Sequence, residues 1–150
     1  MPDDVADCVS IVRELSDYFT DDVPDKVMTD LGAHQGWIAT DAGRLVGFAI
    51  VDRRSRRGAE ILWIAGRRAA QGSGVGTALV NHLLNELTDD GLQLVEVKTL
   101  DHTANYEPYV ATRAFWEHRG FVHIDTIDPL PGWQAGNPAA IYLAALASTR

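Results

Sequence analysis

The chain has 150 residues, a mass of 16.4 kDa, 46% hydrophobic residues and 23% charged residues. These values are typical of one soluble domain, here taken as 1–150, which buries roughly 70% of its unfolded surface without disulfides or a structural metal. The net charge of −8 argues against a nucleic-acid partner, because a chain with more acidic than basic residues is poorly suited to neutralising phosphates. There is no membrane-spanning apolar run of ~20 residues and no secretory signal, so we expect a cytoplasmic protein with no membrane partner.

The first segment predicts a helix. From Asp3 or Asp4, which fits a helix N-cap, apolar residues recur at helical spacing as far as Phe19. The single cysteine, Cys8, lies among these apolar residues. We therefore expect it to be a small buried hydrophobe rather than a reactive thiol.

The rest of the chain alternates strands and helices. The predicted elements are a helix over 25–31, hairpin strands over 37–39 and 45–51, a strand over 59–65, a helix over 75–87, a strand over 92–100, a helix over 109–119, and strands over 121–127 and 140–146. This order predicts an α/β fold in which a single mixed sheet is flanked by helices.

A glycine-rich segment joins the strand over 59–65 to the helix over 75–87. Gly72, Gly74 and Gly76 are separated by single residues, so the backbone can pass close to a ligand and leave amide groups free at a helix N-terminus. Such an end binds phosphate and other anions. Arg67 and Arg68 add positive charge, which disfavours the alternative of a turn that only permits tight packing.

Two familiar nucleotide motifs do not fit this segment. A dinucleotide-binding GxGxxG motif needs a glycine where Thr77 stands, and a P-loop needs a Gly-Lys pair that the sequence lacks. A different phosphate-bearing ligand is therefore expected.

The segment resembles the coenzyme-binding signature of the GNAT superfamily of acetyl-coenzyme A dependent N-acetyltransferases. The [QR]-x-x-G-x-[GA] signature stands over 71–76, and a second landmark, an aromatic pair followed by a spacer and Gly-Phe, stands over 115–121. The resemblance implies a mixed, mostly antiparallel central sheet flanked by helices. The family's first strand is missing here or very short, because only four residues precede the first predicted helix.

The resemblance also implies acetyl-coenzyme A as co-substrate, its pyrophosphate held by loop amides and its pantetheine arm paired with the preceding strand. The implied coenzyme-binding residues are Trp63, Ile64, Ala65, Arg67, Arg68, Gln71, Gly72, Ser73, Gly74, Val75, Gly76, Thr77 and Trp116. The family often has a tyrosine at the second aromatic position, where it protonates the leaving thiolate. Trp116 stands there, and indole has no useful acidity near neutral pH.

Glu60 and Tyr109 are the candidate catalytic residues. Glu60 is the one ionisable residue within the apolar strand, so partial burial would raise its pKa toward that of a general base. Its spacing before Gln71 is similar to that of the glutamate base in histone-acetylating GNAT members. The alternative is that Glu60 lies at the exposed start of the strand and pairs with a nearby arginine. Tyr109 could replace the absent tyrosine as acid, or could only line the pocket.

Four further residues are candidates for binding substrate. Tyr106 precedes the helix over 109–119 and could also supply the acid, although pocket lining is the alternative. Asp101 and His102 follow the strand over 92–100 and could bind an ammonium group or relay a proton, the alternative being simple solvation. Trp133 lies in a turn-rich loop and could form a pocket wall or cover the core. The histidines show no metal-ligand spacing, so no metal is expected.

The sequence thus predicts an N-acetyltransferase that passes acetyl from acetyl-coenzyme A to a primary amine of a small molecule or peptide by direct attack in a ternary complex. The alternative is a non-catalytic sensor that binds coenzyme A or an acyl form of it. This alternative stays open because Trp116 stands where the family often has its acid tyrosine. The acidic balance favours a cationic amine. We expect a homodimer, because GNAT relatives are often dimers.

Overall fold

Four α-helices and six strands follow one another in the predicted order in the computed structural model, which describes residues 2–147. They are α1 (Pro2–Glu14), α2 (Val23–Ala33), β1 (Gln35–Asp41), β2 (Arg44–Asp52), β3 (Gly58–Gly66), α3 (Val75–Asp89), β4 (Leu94–Leu100), α4 (Pro108–His118), β5 (Val122–Ile127) and β6 (Ala139–Ala145). The first element in this range is a helix, which agrees with the expected lack of a first strand.

The bounds of most elements differ from the prediction by one or two residues, and the end of α1 differs by more. Helix α1 ends at Glu14 rather than near Phe19, because the chain then forms successive turns in which the amides of Tyr18 and Phe19 bond to the Leu15 carbonyl. Strand β1 is longer than the predicted 37–39. It is an edge strand whose ends are exposed, so hydrophobic patterning does not reveal its full length.

The six strands form one mixed, mostly antiparallel sheet in the order β1-β2-β3-β4-β6-β5. Neighbouring strands are antiparallel except β3 and β4, which are parallel. Helices cover both faces, so the predicted fold class is confirmed.

The parallel pair separates partway along its length. Residues Gly58–Ile61 of β3 pair with Leu94–Val97 of β4, and the pairing stops there. On its other edge β3 remains paired with β2 as far as Gly66. The backbone of 62–66 therefore has a free edge toward β4, and a gap opens in the middle of the sheet.

Separate apolar clusters hold the helices on the two faces. On one face α3 packs through Leu79, Val80, Leu83 and Leu87. On the other face α1 packs against β2, and Cys8 is fully buried there. The prediction of a buried cysteine is confirmed, and this burial raises the pKa of the Cys8 thiol to about 12.

A glycine in β2 allows α3 to approach the sheet closely. A Cβ at Gly47 would lie 2.6 Å from Cγ1 of Val75, the first residue of α3. This close packing fixes the N-terminus of α3 beside the end of β3.

Candidate active site

A cavity of about 1500 Å³ opens where β3 and β4 separate. This volume exceeds the ~300–1000 Å³ of ordinary small-molecule pockets, so there is room for a large ligand and a second reactant. The predicted site residues that border it are Glu60, Trp63, Ile64, Ala65, Gln71, Gly72, Gly74, Val75, Gly76, Thr77, Tyr106, Tyr109, Trp116 and Trp133. Arg67, Arg68, Ser73, Asp101 and His102 do not border it.

The glycine-rich loop presents free amide groups at the N-terminus of α3. Gly72 and Gly74 have φ angles of +83° and +88°, a conformation that disfavours residues with a Cβ. Their amides, and those of Val75, Gly76 and Thr77, find no hydrogen-bond acceptor among the described residues. With the partial positive charge of a helix N-terminus, this row can bind an anion.

Two of the predicted loop amides are already used within the protein. The Gln71 amide donates to the Arg68 carbonyl, and the Ser73 amide donates to the Ala70 carbonyl, both at 3.2 Å. The set of free amides is therefore smaller than the sequence implied, and it is shifted into the first turn of α3.

The structure corrects the prediction for Arg67 and Arg68. Arg67 is buried, and its Nε donates to the Leu45 carbonyl at 2.9 Å. Arg68 extends to α1 and the turn after it, where Nη2 lies 2.6 Å from Asp17 Oδ1 and the backbone amide donates to the Glu14 carboxylate. Arg67 Nη1 also lies 3.5 Å from Glu14 Oε2, so both side chains attach the loop to the α1 region, and neither borders the cavity.

Arg119 places positive charge beside the first turn of α3, although the residue itself does not border the cavity. Its Nη2 donates to the hydroxyl of Thr77, in the first turn of α3, and its guanidinium carbon lies 3.7 Å from the centroid of the Phe115 ring. Sequence reasoning missed this residue, because only the packing of α4 against α3 brings it there.

Glu60 shows one feature of each alternative left open by the sequence, since it is buried and also pairs with an arginine. It borders the cavity and is 4% exposed, so the strand start is buried rather than exposed. Its carboxylate binds Arg54, and Lys98 Nζ lies 3.1 Å from Oε2. Burial raises the pKa of Glu60, while Lys98 and Arg54 oppose that effect, and the net pKa lies above its ordinary value.

The geometry gives no support to an acid role for Tyr109. Its hydroxyl donates to the Tyr18 carbonyl at 2.6 Å, so the proton points at the backbone. Burial raises the pKa of Tyr109 to about 12, and the nearby phenol groups act in the same direction. The hydroxyl of Tyr106 likewise donates to a backbone carbonyl, that of Asp17. Both tyrosines hold the segment between α1 and α2 against the start of α4.

Trp116 is a core residue that also borders the cavity. It is 3% exposed and packs edge-to-face against Phe115 and Phe121, with ring centroids 5.0 Å away in each case. Its ring can form an apolar wall of the site.

Asp101 and His102 lie outside the cavity, so the structure does not support their predicted contact with substrate. Asp101 accepts hydrogen bonds from the backbone and hydroxyl of Thr103 and from the hydroxyl of Thr126, which ties the end of β4 to β5. Burial alone would raise the pKa of Asp101, but these hydrogen bonds outweigh it and lower the pKa. His102 is exposed to solvent.

Acidic and aromatic side chains gather at the end of the cavity near α2. The Trp63 indole donates to Asp30 Oδ2 at 2.7 Å, and Phe19 packs edge-to-face on Trp63. Trp133, from the segment between β5 and β6, borders the same cavity. Asp30 was not singled out from the sequence, where it is one of many surface-type carboxylates on a helix.

Comparison with known families identifies this architecture. Residues 8–121 match the family described as "Acetyltransferase (GNAT) family". The chain belongs to the GNAT family. This GNAT protein is an acyltransferase enzyme, and the matched region contains the glycine-rich loop, both separating strands and α4.

Solved GNAT structures share the whole fold. A protein described as a GNAT-family acetyltransferase from Desulfovibrio desulfuricans has a TM-score of 0.83 and 22% identity, covering 98% of this chain and 95% of its own. The ribosomal-protein-S18-alanine N-acetyltransferase from Escherichia coli has a TM-score of 0.79 and 19% identity, with 100% and 92% coverage. An aminoglycoside 6'-N-acetyltransferase complexed with coenzyme A has a TM-score of 0.75 and 20% identity, with 100% and 94% coverage. No curated protein sequence matches the chain.

The described part of this GNAT chain shows neither a metal-binding cluster nor a membrane-spanning helix. Within residues 2–147 no group of three or more His, Cys, Asp or Glu side chains is arranged to hold a metal ion. None of the described helices is long and apolar enough to cross a membrane.

Proposed function

We propose that this protein transfers the acetyl group of acetyl-coenzyme A to a primary amine by direct attack within a ternary complex. The observation that carries the proposal is the set of free amides of Gly72, Gly74, Val75, Gly76 and Thr77, which borders the same cavity as the free edge of β3. A diphosphate needs several N–H donors, and an amide-containing arm needs an unpaired strand edge.

The coenzyme would lie along the gap in the sheet. The free loop amides would hold its pyrophosphate, with the positive charge of Arg119 nearby. The backbone of Trp63, Ile64 and Ala65 would pair with the pantetheine arm, and Trp116 would close the apolar side of the channel. When bound, acetyl-coenzyme A supplies the activated thioester.

Glu60 would act as the base. A protonated amine must lose a proton before its nitrogen can attack, and Glu60 is a buried carboxylate with a raised pKa at the cavity wall. Arg54 and Lys98 fix its position. The proton would pass to Glu60 directly or through one water molecule.

The acceptor would be a cationic amine carried by a small molecule or by a peptide. Asp25 and Asp30 border the cavity from α2, and neither forms an ion pair within the described residues, whereas Asp22 is paired with Lys26 at 2.8 Å. The neighbouring carboxylates favour an incoming ammonium group. Two proteins of the same fold are named for acetylating aminoglycosides and an alanine of a ribosomal protein, which are both amine acceptors.

A thiol-release assay tests the proposal. Acetyl-coenzyme A would be supplied with a panel of polyamines, aminoglycosides and peptides with free N-termini, and coenzyme A binding would be measured by calorimetry. We expect binding, and release of free thiol with at least one amine. Binding without turnover on any amine would favour the sensor alternative, and lack of binding would refute both.

A further inference from the structure

Thr99, on β4, carries a buried hydroxyl that none of the described residues satisfies. The residue is 4% exposed, and its Oγ1 has no hydrogen-bond partner among the described residues. An unsatisfied buried hydroxyl is destabilising, so native structures rarely keep one without a reason. The residue also borders the cavity, which is the side from which a partner can come.

The position of Thr99 in the sheet is close to where the thioester would lie. Val97 is the last β4 residue paired with β3, and Thr99 follows it by two residues, about 7 Å along the strand, where the gap has opened. Side chains two residues apart share a face of the sheet, and Val97 packs in the same core cluster as Trp116. Thr99 is therefore on the face covered by Trp116.

The sulfur becomes negatively charged as it leaves, so a hydrogen-bond donor is needed in the part of the gap beside Thr99. The proton of Tyr109 is committed to the Tyr18 carbonyl, and Trp116 has no acidic proton to give. A threonine hydroxyl can donate one hydrogen bond, and its hydrogen can rotate to meet an acceptor that enters the cavity. Hydrogen bonds to an anionic acceptor are stronger than those between neutral groups.

We propose that the Thr99 hydroxyl donates a hydrogen bond to the sulfur of coenzyme A as the thiolate leaves. This assignment rests on the proposed acetyl transfer. The amine nitrogen forms a bond to the thioester carbon, the C–S bond breaks, and its electron pair remains on sulfur. Glu60, directly or through its water, has taken one proton from the ammonium group before the attack, and the nitrogen of the new C–N bond releases its second proton to solvent as the thiolate departs. Thr99 keeps its own proton, because an alcohol is too weak an acid to release it.

Thr99→Val and Thr99→Ser test this role by removing the hydroxyl or keeping it. We expect Thr99→Val to lower kcat about 10-fold or more with little change in KM for acetyl-coenzyme A, and Thr99→Ser to retain most of the activity. The melting temperature of Thr99→Val without ligand should not fall, since the variant loses an unsatisfied polar group.

A binding measurement separates contact with sulfur from contact with the pantetheine arm. The affinities for coenzyme A and desulfo-coenzyme A would be compared from about pH 7 to about pH 9.5, the range in which a thiol titrates. In the unsubstituted protein and in Thr99→Ser, the preference for coenzyme A should grow with pH more than in Thr99→Val. An equal loss of affinity for both ligands in Thr99→Val, or an unchanged kcat, overturns the assignment. If the unsubstituted protein binds neither ligand, the proposed acetyl transfer itself fails.

Discussion

Lys98 Nζ lies 3.1 Å from Oε2 of Glu60, and the two residues come from the two strands that separate around the cavity. Arg54 binds the other oxygen of the same carboxylate. Burial raises the pKa of Glu60 while these cations lower it, and burial is the larger effect. The ion pair thus both positions the candidate base and limits how far its pKa rises.

Replacement of Glu60 by glutamine should remove the base without disturbing the coenzyme loop. We expect Glu60→Gln to lower kcat about 100-fold at neutral pH, with coenzyme A affinity nearly unchanged, because general-base catalysis contributes roughly 10²–10⁴-fold. Steady-state kinetics and calorimetry would measure the two effects. Glu96→Gln is the matched control, since Glu96 also contacts Lys98, at 3.7 Å, but does not border the cavity. An unchanged rate in Glu60→Gln would remove Glu60 from the mechanism.

The activity of the unsubstituted protein should rise with pH through the raised pKa of Glu60. The base works as the carboxylate, and the folded protein holds its pKa above the ordinary value, so activity is lost as pH falls below that raised pKa. Lys98→Met removes a cation that lowers this pKa. The fall of kcat/KM on the acidic side of its pH profile, the acidic limb, should therefore move to higher pH. The limb should be absent in Glu60→Gln. A limb that stays at the same pH in Lys98→Met would mean that another group titrates.

Substitution in the glycine-rich loop should weaken coenzyme binding specifically. Gly74→Val adds a branched side chain at a φ of +88°, strains the turn and covers the free amides, so we expect about 10-fold weaker binding of coenzyme A or more. Gly91→Val is the control, because Gly91 has a φ of +89° and, as at Gly74, an added Cβ would meet no atom within 4 Å. Both variants should lose about 1–2 kcal/mol of stability from the left-handed conformation. Equal affinities in the two variants would argue against binding of the pyrophosphate at this loop.

Removal of the Tyr109 hydroxyl should affect stability rather than catalysis. Tyr109→Phe loses the hydrogen bond to the Tyr18 carbonyl and should cost about 1 kcal/mol of unfolding free energy. We expect kcat to change by less than about twofold, since the hydroxyl already donates its proton to the Tyr18 carbonyl. Thermal unfolding and steady-state kinetics would measure both quantities. A large fall in kcat with normal stability would restore the acid role that the sequence suggested.

The sequence by itself determined the order of the elements, the fold class and the position of the glycine-rich loop. Hydrophobic periodicity and glycine spacing are local properties, and each is read correctly from a short window of residues. The buried state of Cys8 followed from the same pattern. The homodimer remains a prediction from family resemblance.

Only the tertiary structure decided which side chains meet at the cavity. Arg67 and Arg68 lie next to the loop in sequence but bind Glu14 and Asp17 in the α1 region, while Arg119, at the end of α4, bonds to Thr77 in the first turn of α3. Lys98 and Thr99 became candidates because the pairing of β3 with β4 stops at Ile61 and Val97. Pairings of this kind join residues far apart in the chain, and their geometry depends on the packing of the whole sheet, which no local pattern encodes.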